Sequence, residues 1–315
     1  MAVEKNQQLN IHKDYYPEVL RIIRNNIVKI IPESSLLFKW LCLIGFKISA
    51  KKKHTLRTSM KIDIPAVAHC NLGCKCCTTF SPLAKESFLD VEGYKNDMRK
   101  LAELTDNYLD SVCFTGGEPL LHPKLLELFN IAREYFPKTE LSFMTNGILL
   151  MKMTEAFWEN CRKNNVCISL SRYPINIDVI KIKAFADTYN VKFDYVGGKN
   201  TPTKLMWKYP LDINGQQPLS RSFKICNQVN SCIQMKNGKI YPCNTIACIC
   251  HFNDFFGKNM KIMREDVIEI NQVKSITEIY EFLIKPKPFC KYCNRKGVKF
   301  GIKYGASKKE ITEWT

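Results

Sequence analysis

The chain has 315 residues, 45% hydrophobic and 24% charged, enough for one large α/β domain with a small appendage. Its formal net charge of +17 suits a phosphorylated substrate, an anionic membrane surface or a nucleic acid, and says nothing about fold. No stretch approaches the roughly 20 uncharged apolar residues of a membrane span, and the polar start Met1 to Asn10 lacks the apolar run of a secretory signal, so a cytoplasmic location is expected.

Residues 1–60 read as a basic and apolar N-terminal extension. Within it, Ser35 to Ala50 is apolar apart from Lys39 and Lys47 and is followed by three lysines. That composition fits a helix packed on the main domain or one lying at a membrane surface, so peripheral membrane contact stays open. From Lys61 strands and helices alternate. Lys61 to Ala68 is a strand, Asp90 caps a helix with Tyr94, Met98 and Leu101 on one face, and Ser111 to Thr115 is a strand ending in Gly-Gly. Pro123 opens a helix running to about Phe136, and Leu141 to Met144 is a strand stopped by Asn146-Gly147. Thr154 starts a helix, Val166 to Ser171 is a strand, Ile177 to Tyr189 a helix, and Val191 to Val196 a strand ended by Gly197-Gly198. Such alternation predicts βαβ units around a parallel sheet, with chemistry at the carboxyl ends of the strands. Residues 61–198 form this core, 199–225 an irregular bridge with Pro202, Pro210 and Pro218, and 226–315 a cysteine-rich C-terminal part.

Fifteen cysteines in a chain without an export signal point to metal or catalysis rather than disulfides. Cys42, Cys113, Cys161 and Cys167 sit singly in apolar surroundings and read as small buried hydrophobes. The rest cluster. Cys70, Cys74 and Cys77 lie in one loop at the first strand end, where three thiolates can hold three irons of a cubane and leave the fourth iron open. Zinc is the rival, with Cys76 as a fourth ligand, although its side chain is expected to point away from Cys77. After the second strand, Gly116-Gly117 lets backbone amides turn toward a small polar ligand, and Glu118 can accept hydrogen bonds from an ammonium group.

Cys70-x3-Cys74-x2-Cys77 followed by Gly116-Gly117-Glu118-Pro119 resembles the radical SAM superfamily over residues 62–198. The resemblance implies a partial (β/α)6 barrel and a [4Fe–4S] cluster whose open iron is chelated by S-adenosylmethionine. It further implies reductive cleavage to a 5′-deoxyadenosyl radical, with electrons from an external reductant such as flavodoxin or ferredoxin. Carried over by position, Gly116, Gly117, Glu118 and Pro119 border the methionine end, while Asn146, Ser169 and Ser171 contact ribose or carboxylate. The family often has an aromatic residue before the third cysteine, where Cys76 stands here.

A second set comprises Cys226, Cys243, Cys290 and Cys293, with the turn signal Asn237-Gly238 between the first two. By spacing alone it suits zinc or a cluster equally. It resembles a twitch domain, the short form of the SPASM extension, which implies an auxiliary [4Fe–4S] cluster on those four residues. Cys232 is an alternative to Cys226, and Cys248, Cys250 and His251 read as surplus. Both sets together are similar to those of 2-deoxy-scyllo-inosamine dehydrogenases. The leading expectation is therefore a radical SAM oxidoreductase or epimerase acting on a sugar, cyclitol or sugar nucleotide in a surface-polysaccharide setting. Arg172 and Tyr173 are candidates to face that carbohydrate-like substrate. The rival readings are a peptide or sulfatase maturase and, more remotely, a zinc protein that binds nucleic acid through Lys285 to Lys309 with Phe289, Tyr292, Phe300 and Tyr304.

Overall fold

A computed structural model describes residues 60–197 and 203–315. The expected extension, with Cys42 and the apolar stretch Ser35 to Ala50, lies outside them, as does Gly198. The core opens with β1 (Lys61–Val67), α1 (Val91–Thr105), β2 (Ser111–Gly116), α2 (Leu125–Tyr135), β3 (Glu140–Thr145) and α3 (Glu155–Lys163). It continues with β4 (Val166–Leu170), α4 (Val179–Thr188) and β5 (Phe193–Tyr195). Then come β6 (Met206–Lys208), α5 (Leu219–Lys224), β7 (Gln234–Lys236), β8 (Lys239–Tyr241), α6 (Asn244–Phe256), β9 (Ile268–Glu269), α7 (Ile276–Ile284) and β10 (Lys299–Ile302).

Local chemistry explains most of these boundaries. Asp90 caps α1, its carboxylate accepting from the Gly93 amide at 2.7 Å, and Tyr94, Met98 and Leu101 are buried on the face that meets the sheet. The second helix starts at Leu125, two residues beyond Pro123, because the His122 ring takes the Lys124 amide at 3.0 Å and delays the entry. Asn237 and Gly238, at φ of 51° and 73°, make the two-residue hairpin turn between β7 and β8. Asp97 of α1 accepts the Gly238 amide at 2.8 Å and fastens that hairpin to the core.

Strands run in the order β5-β4-β3-β2-β1-β7-β8-β9, and every neighbouring pair from β5 to β7 is parallel. Six parallel strands thus make up the α/β core, the sixth supplied by β7 beside β1. The strand that follows β5 in sequence, β6, pairs instead with β10 in a separate antiparallel ribbon. One face of the sheet is apolar: Ile62, Ile64, Val112, Phe114, Leu141, Phe143, Ile168 and Leu170 are at 0% exposure and pack with the helices. The alternate residues form an inner face with Asp63, Cys113, Ser142 and Cys167 aligned across four strands. Of the single cysteines, Cys161 and Cys113 are buried as expected, Cys113 within this row, whereas Cys167 in the same row is half-buried.

Asp63 heads the row and accepts from the Gln234 amide at 3.0 Å. Burial pushes its carboxyl up to about 7, against the opposing pull of Gln234 and Lys61. The native state therefore keeps this proton where the unfolded chain has lost it, so stability falls as pH rises from about 4 to about 7. Asp63 is half-buried rather than fully buried, so solvent screens part of that charge. Asp63→Asn is expected to flatten the slope, with a gain of about 1–2 kcal/mol at pH 8 relative to pH 4 in denaturant titrations. Parallel pH profiles for the two proteins would count against this role.

Candidate active site and second cysteine site

The carboxyl ends of β1 and β2 meet where the first three cysteines lie. A Cβ on Gly116, which has φ +115°, would sit 2.2 Å from the Val67 carbonyl oxygen, and one on Gly117 would sit 1.7 Å from that of His69. The Gly117 amide donates to the Val67 carbonyl at 2.6 Å and the Glu118 amide to that of His69 at 3.1 Å. The expectation that these glycines aim their amides at a ligand is thus corrected at Gly117: its amide is used within the protein, and the missing side chains let the cysteine loop close onto β2. Glu118 is 1% exposed. It accepts from Leu120 N at 3.2 Å and Asn146 N at 2.9 Å, joining the ends of β2 and β3 rather than standing open to an ammonium group. Burial raises its carboxyl to about 7. Pro119 is buried as the first residue of a short 3-10 turn.

Cys70, Cys74 and Cys77 face one another closely enough for each charge to act on its neighbours. Burial first, then Glu118 and the adjacent thiols, push Cys70 up to about 12, and burial and Cys77 push Cys74 to about 11. Asn146 reaches back from the end of β3, its Nδ2 donating to Asn71 Oδ1 at 2.7 Å and lying 3.8 Å from the Cys70 sulfur. Thr79, which the sequence did not single out, lies 3.2 Å from the Cys77 sulfur and donates to the Gly116 carbonyl at 3.2 Å. Cys76 adopts a left-handed φ of 56°; burial raises its thiol, and Lys208, Glu313 and Lys75 act on it more strongly than Cys77 does. Ser171 is buried at the end of β4, while Ser169 stands on the inner face and donates its hydroxyl to Cys167.

A cation and two phenols border the thiols. Lys204 donates to Ser171 Oγ at 3.3 Å and lies 4.9 Å from the Tyr173 ring centroid. Tyr173 is hydrogen-bonded to Cys74, and the Tyr304 ring packs 5.5 Å from it. Burial lowers the Lys204 pKa, while the three thiols oppose that shift. Arg172 lies over Tyr195 at 4.4 Å. Three soft donors beside an ammonium group suit a cluster of net negative charge and an anionic ligand.

The segment after β10 clamps the cysteine loop. Lys75 donates to Gly305 O at 2.9 Å, Ser307 to Gly73 O at 2.7 Å, and Cys74 and Ala306 face each other in an antiparallel bridge. The Trp314 indole donates to the Cys77 carbonyl at 2.9 Å while its ring packs among Phe80, Phe252 and Phe256. Part of the suggested nucleic-acid arm is interior, while Lys285, Lys296, Lys299, Phe300, Lys303, Lys308 and Lys309 are exposed. Phe289 and Tyr292 are 0% and 9% exposed, Lys287 is 1% exposed, and Phe300 meets Trp207.

Cys226, Cys243, Cys290 and Cys293 come together, all buried as free thiols. Burial and the companion sulfurs push Cys243 up to about 12 and also raise Cys290. Cys232 feels Asp63 and Cys113 as well, so it lies between this group and the inner face. Cys248 is buried against the aromatic residues of α6, and Cys250 is exposed beside His251. Among the described residues no three His, Cys, Asp or Glu side chains close around a single-ion position, which a cubane with thiolates on separate irons does not require. No described helix is long and apolar enough to cross a membrane.

Residues 64–188 match the family model described as Radical SAM superfamily. GTP 3′,8-cyclase of Chlorobaculum tepidum is 33% identical over 103 residues, 33% of this chain and 30% of that protein. The subtilosin biosynthesis protein AlbA of Bacillus subtilis is 26% identical over 177 residues, 53% of this chain and 34% of that protein. The chain thus spans about a third of the length of these curated relatives. A crystal structure of BtrN in complex with AdoMet and 2-DOIA superposes with a TM-score of 0.45 and 18% identity, covering 76% of this chain and 94% of that one.

Gly117→Ala tests the loop closure directly. The added methyl displaces the His69 carbonyl, so the variant is expected to lose most of the iron bound at Cys70, Cys74 and Cys77. Iron analysis after anaerobic reconstitution reads this, and full iron content in the variant would refute it.

Proposed function

We propose that this chain, with a radical SAM domain over residues 64–188, oxidises or epimerises a sugar, cyclitol or sugar nucleotide. S-adenosylmethionine on a [4Fe–4S] cluster at Cys70, Cys74 and Cys77 would supply a 5′-deoxyadenosyl radical that takes a hydrogen atom from substrate. The protein's own part is binding, orientation and exclusion of water. Asn146 and Thr79 hold the cysteine loop in place, and Ser171 and Lys204 offer a hydroxyl and an ammonium group to a carboxylate or phosphate beside it. Tyr173 and Tyr304 wall the same space.

The observation that carries the oxidative reading is the second group of four buried thiols, which suits an auxiliary [4Fe–4S] cluster able to accept an electron. Removing two electrons from a secondary alcohol by way of a radical needs such an acceptor once the hydrogen atom has gone. The relatives' names point to other substrates, a nucleoside triphosphate for the cyclases and a bacteriocin for AlbA. Those matches cover a third to a half of this chain, and peptide modification is the second reading.

Iron content tests the oxidative reading. A Cys70/Cys74/Cys77→Ala variant is expected to keep about four irons per chain, the content of one cubane. Retention of none would remove the electron acceptor and with it the oxidative chemistry. Lys204→Gln is expected to leave the iron content unchanged and to raise the KM for S-adenosylmethionine or substrate at least tenfold, about 1.4 kcal/mol of lost binding. An unchanged KM for both would show that the amine contacts neither.

A further inference from the structure

Arg295 lies two residues beyond Cys293, and its side chain turns back toward the second cysteine group. Its guanidinium donates to Cys293 and feels the charges of Cys226, Cys243 and Cys290 as well. Nη1 donates to Gln228 Oε1 at 3.2 Å, and the guanidinium lies 5.2 Å from the Tyr209 ring centroid. Gln228 is itself held by the Thr245 hydroxyl at 3.2 Å. The Arg295 Nε is buried with no hydrogen-bond partner. A buried N–H left unpaired costs about 1–3 kcal/mol, and here it sits on the group that already donates to a cysteine sulfur. Among the described residues no carboxylate pairs with this guanidinium.

The neighbouring cation is used differently. Lys287 is also buried, but its amine donates to the Phe282 carbonyl and rests over the Phe282 ring at 3.5 Å. Only the guanidinium is fixed by a side-chain amide on one edge and an aromatic ring nearby, with a cysteine sulfur as its acceptor. A guanidinium remains charged at any working pH, so its field on the thiolates is permanent.

We propose that Arg295 is a positioning residue for the second site, its charge and N–H groups raising the reduction potential of the cluster held by Cys226, Cys243, Cys290 and Cys293. The inference rests on reading that site as an iron–sulfur site. Reduction adds one negative charge to the cluster, and a cation donating to a ligand sulfur stabilises the reduced form more than the oxidised one. In the proposed oxidation, the electron comes from the substrate radical and the hydroxyl proton leaves to solvent or a base. Arg295 makes the cluster the better destination for that electron.

The test uses the full chain carrying Cys70/Cys74/Cys77→Ala, so that only the second cluster contributes. After anaerobic reconstitution, iron is counted and the reduced cluster is followed by electron paramagnetic resonance in a dithionite titration with mediator dyes. Arg295→Met is expected to lower the reduced-to-oxidised ratio at a fixed poise at least tenfold, about 59 mV for one electron. Arg295→Lys, which keeps the charge, is expected to recover most of that loss. Gln228→Glu sets a carboxylate against the guanidinium and is expected to shift the ratio in the same direction as Arg295→Met. If Arg295→Met fails to hold iron, Arg295→Lys and Gln228→Glu decide: an unchanged potential in Gln228→Glu at full iron content overturns the inference. Equal potentials in Arg295→Met and the parent overturn it as well. Absence of iron in the parent overturns the iron–sulfur reading itself, and the inference with it.

Discussion

The contact between the Gly117 amide and the Val67 carbonyl, 2.6 Å long, fixes the end of β1 against the end of β2. It exists because neither Gly116 nor Gly117 has a Cβ to collide with the residues that lead into the cysteine loop. From that junction the loop runs across the top of the sheet, where Asn146 from β3 and Thr79 from the loop itself tie Cys70 and Cys77 to fixed backbone. Glu118 fastens the third strand to the same junction from beneath. The geometry of three thiols thus depends on two absent side chains.

The alternating core was readable because its signals are local. Asp90, Thr154 and Asn237-Gly238 act within a turn of their own positions, and apolar residues at period two mark each strand's covered face. What escaped the sequence were pairings between distant segments. The partnership of β7 with β1 joins Asp63 to Gln234, 171 positions apart, and no local pattern announces it. Glu118 was noticed for the right reason, a carboxylate beside two glycines, yet burial and two backbone donors give it a structural task. Lys204 and Arg295 carried no motif of their own, and Tyr304 stood out only as an aromatic of the basic arm; each matters through what the fold sets beside it. The same applies to Phe289 and Tyr292, whose mixture with lysines imitated a binding arm until packing took them inside.

The two cysteine groups are linked through the packing of the protein. Cys232 stands between the second group and the inner-face row of Asp63 and Cys113. The aromatic cluster of Phe80, Phe252, Phe256 and Trp314 joins α6, which begins just after Cys243, to the loop that carries Cys77. Distortion at either thiol group would be felt at the other through close-packed rings, which transmit small displacements because interiors hold little free space.

The tail clamp has a consequence for how the protein is made. The Trp314 indole binds the Cys77 carbonyl across 237 positions of chain. At synthesis rates of about 5–20 residues per second, that span takes roughly 10–50 s. Throughout that interval the loop with Cys70, Cys74 and Cys77 has left the peptidyl-transferase centre while its clamp does not yet exist. The loop with Cys70, Cys74 and Cys77 therefore takes its finished form only once the segment carrying Trp314 has been made, and until then its three thiols lack that clamp.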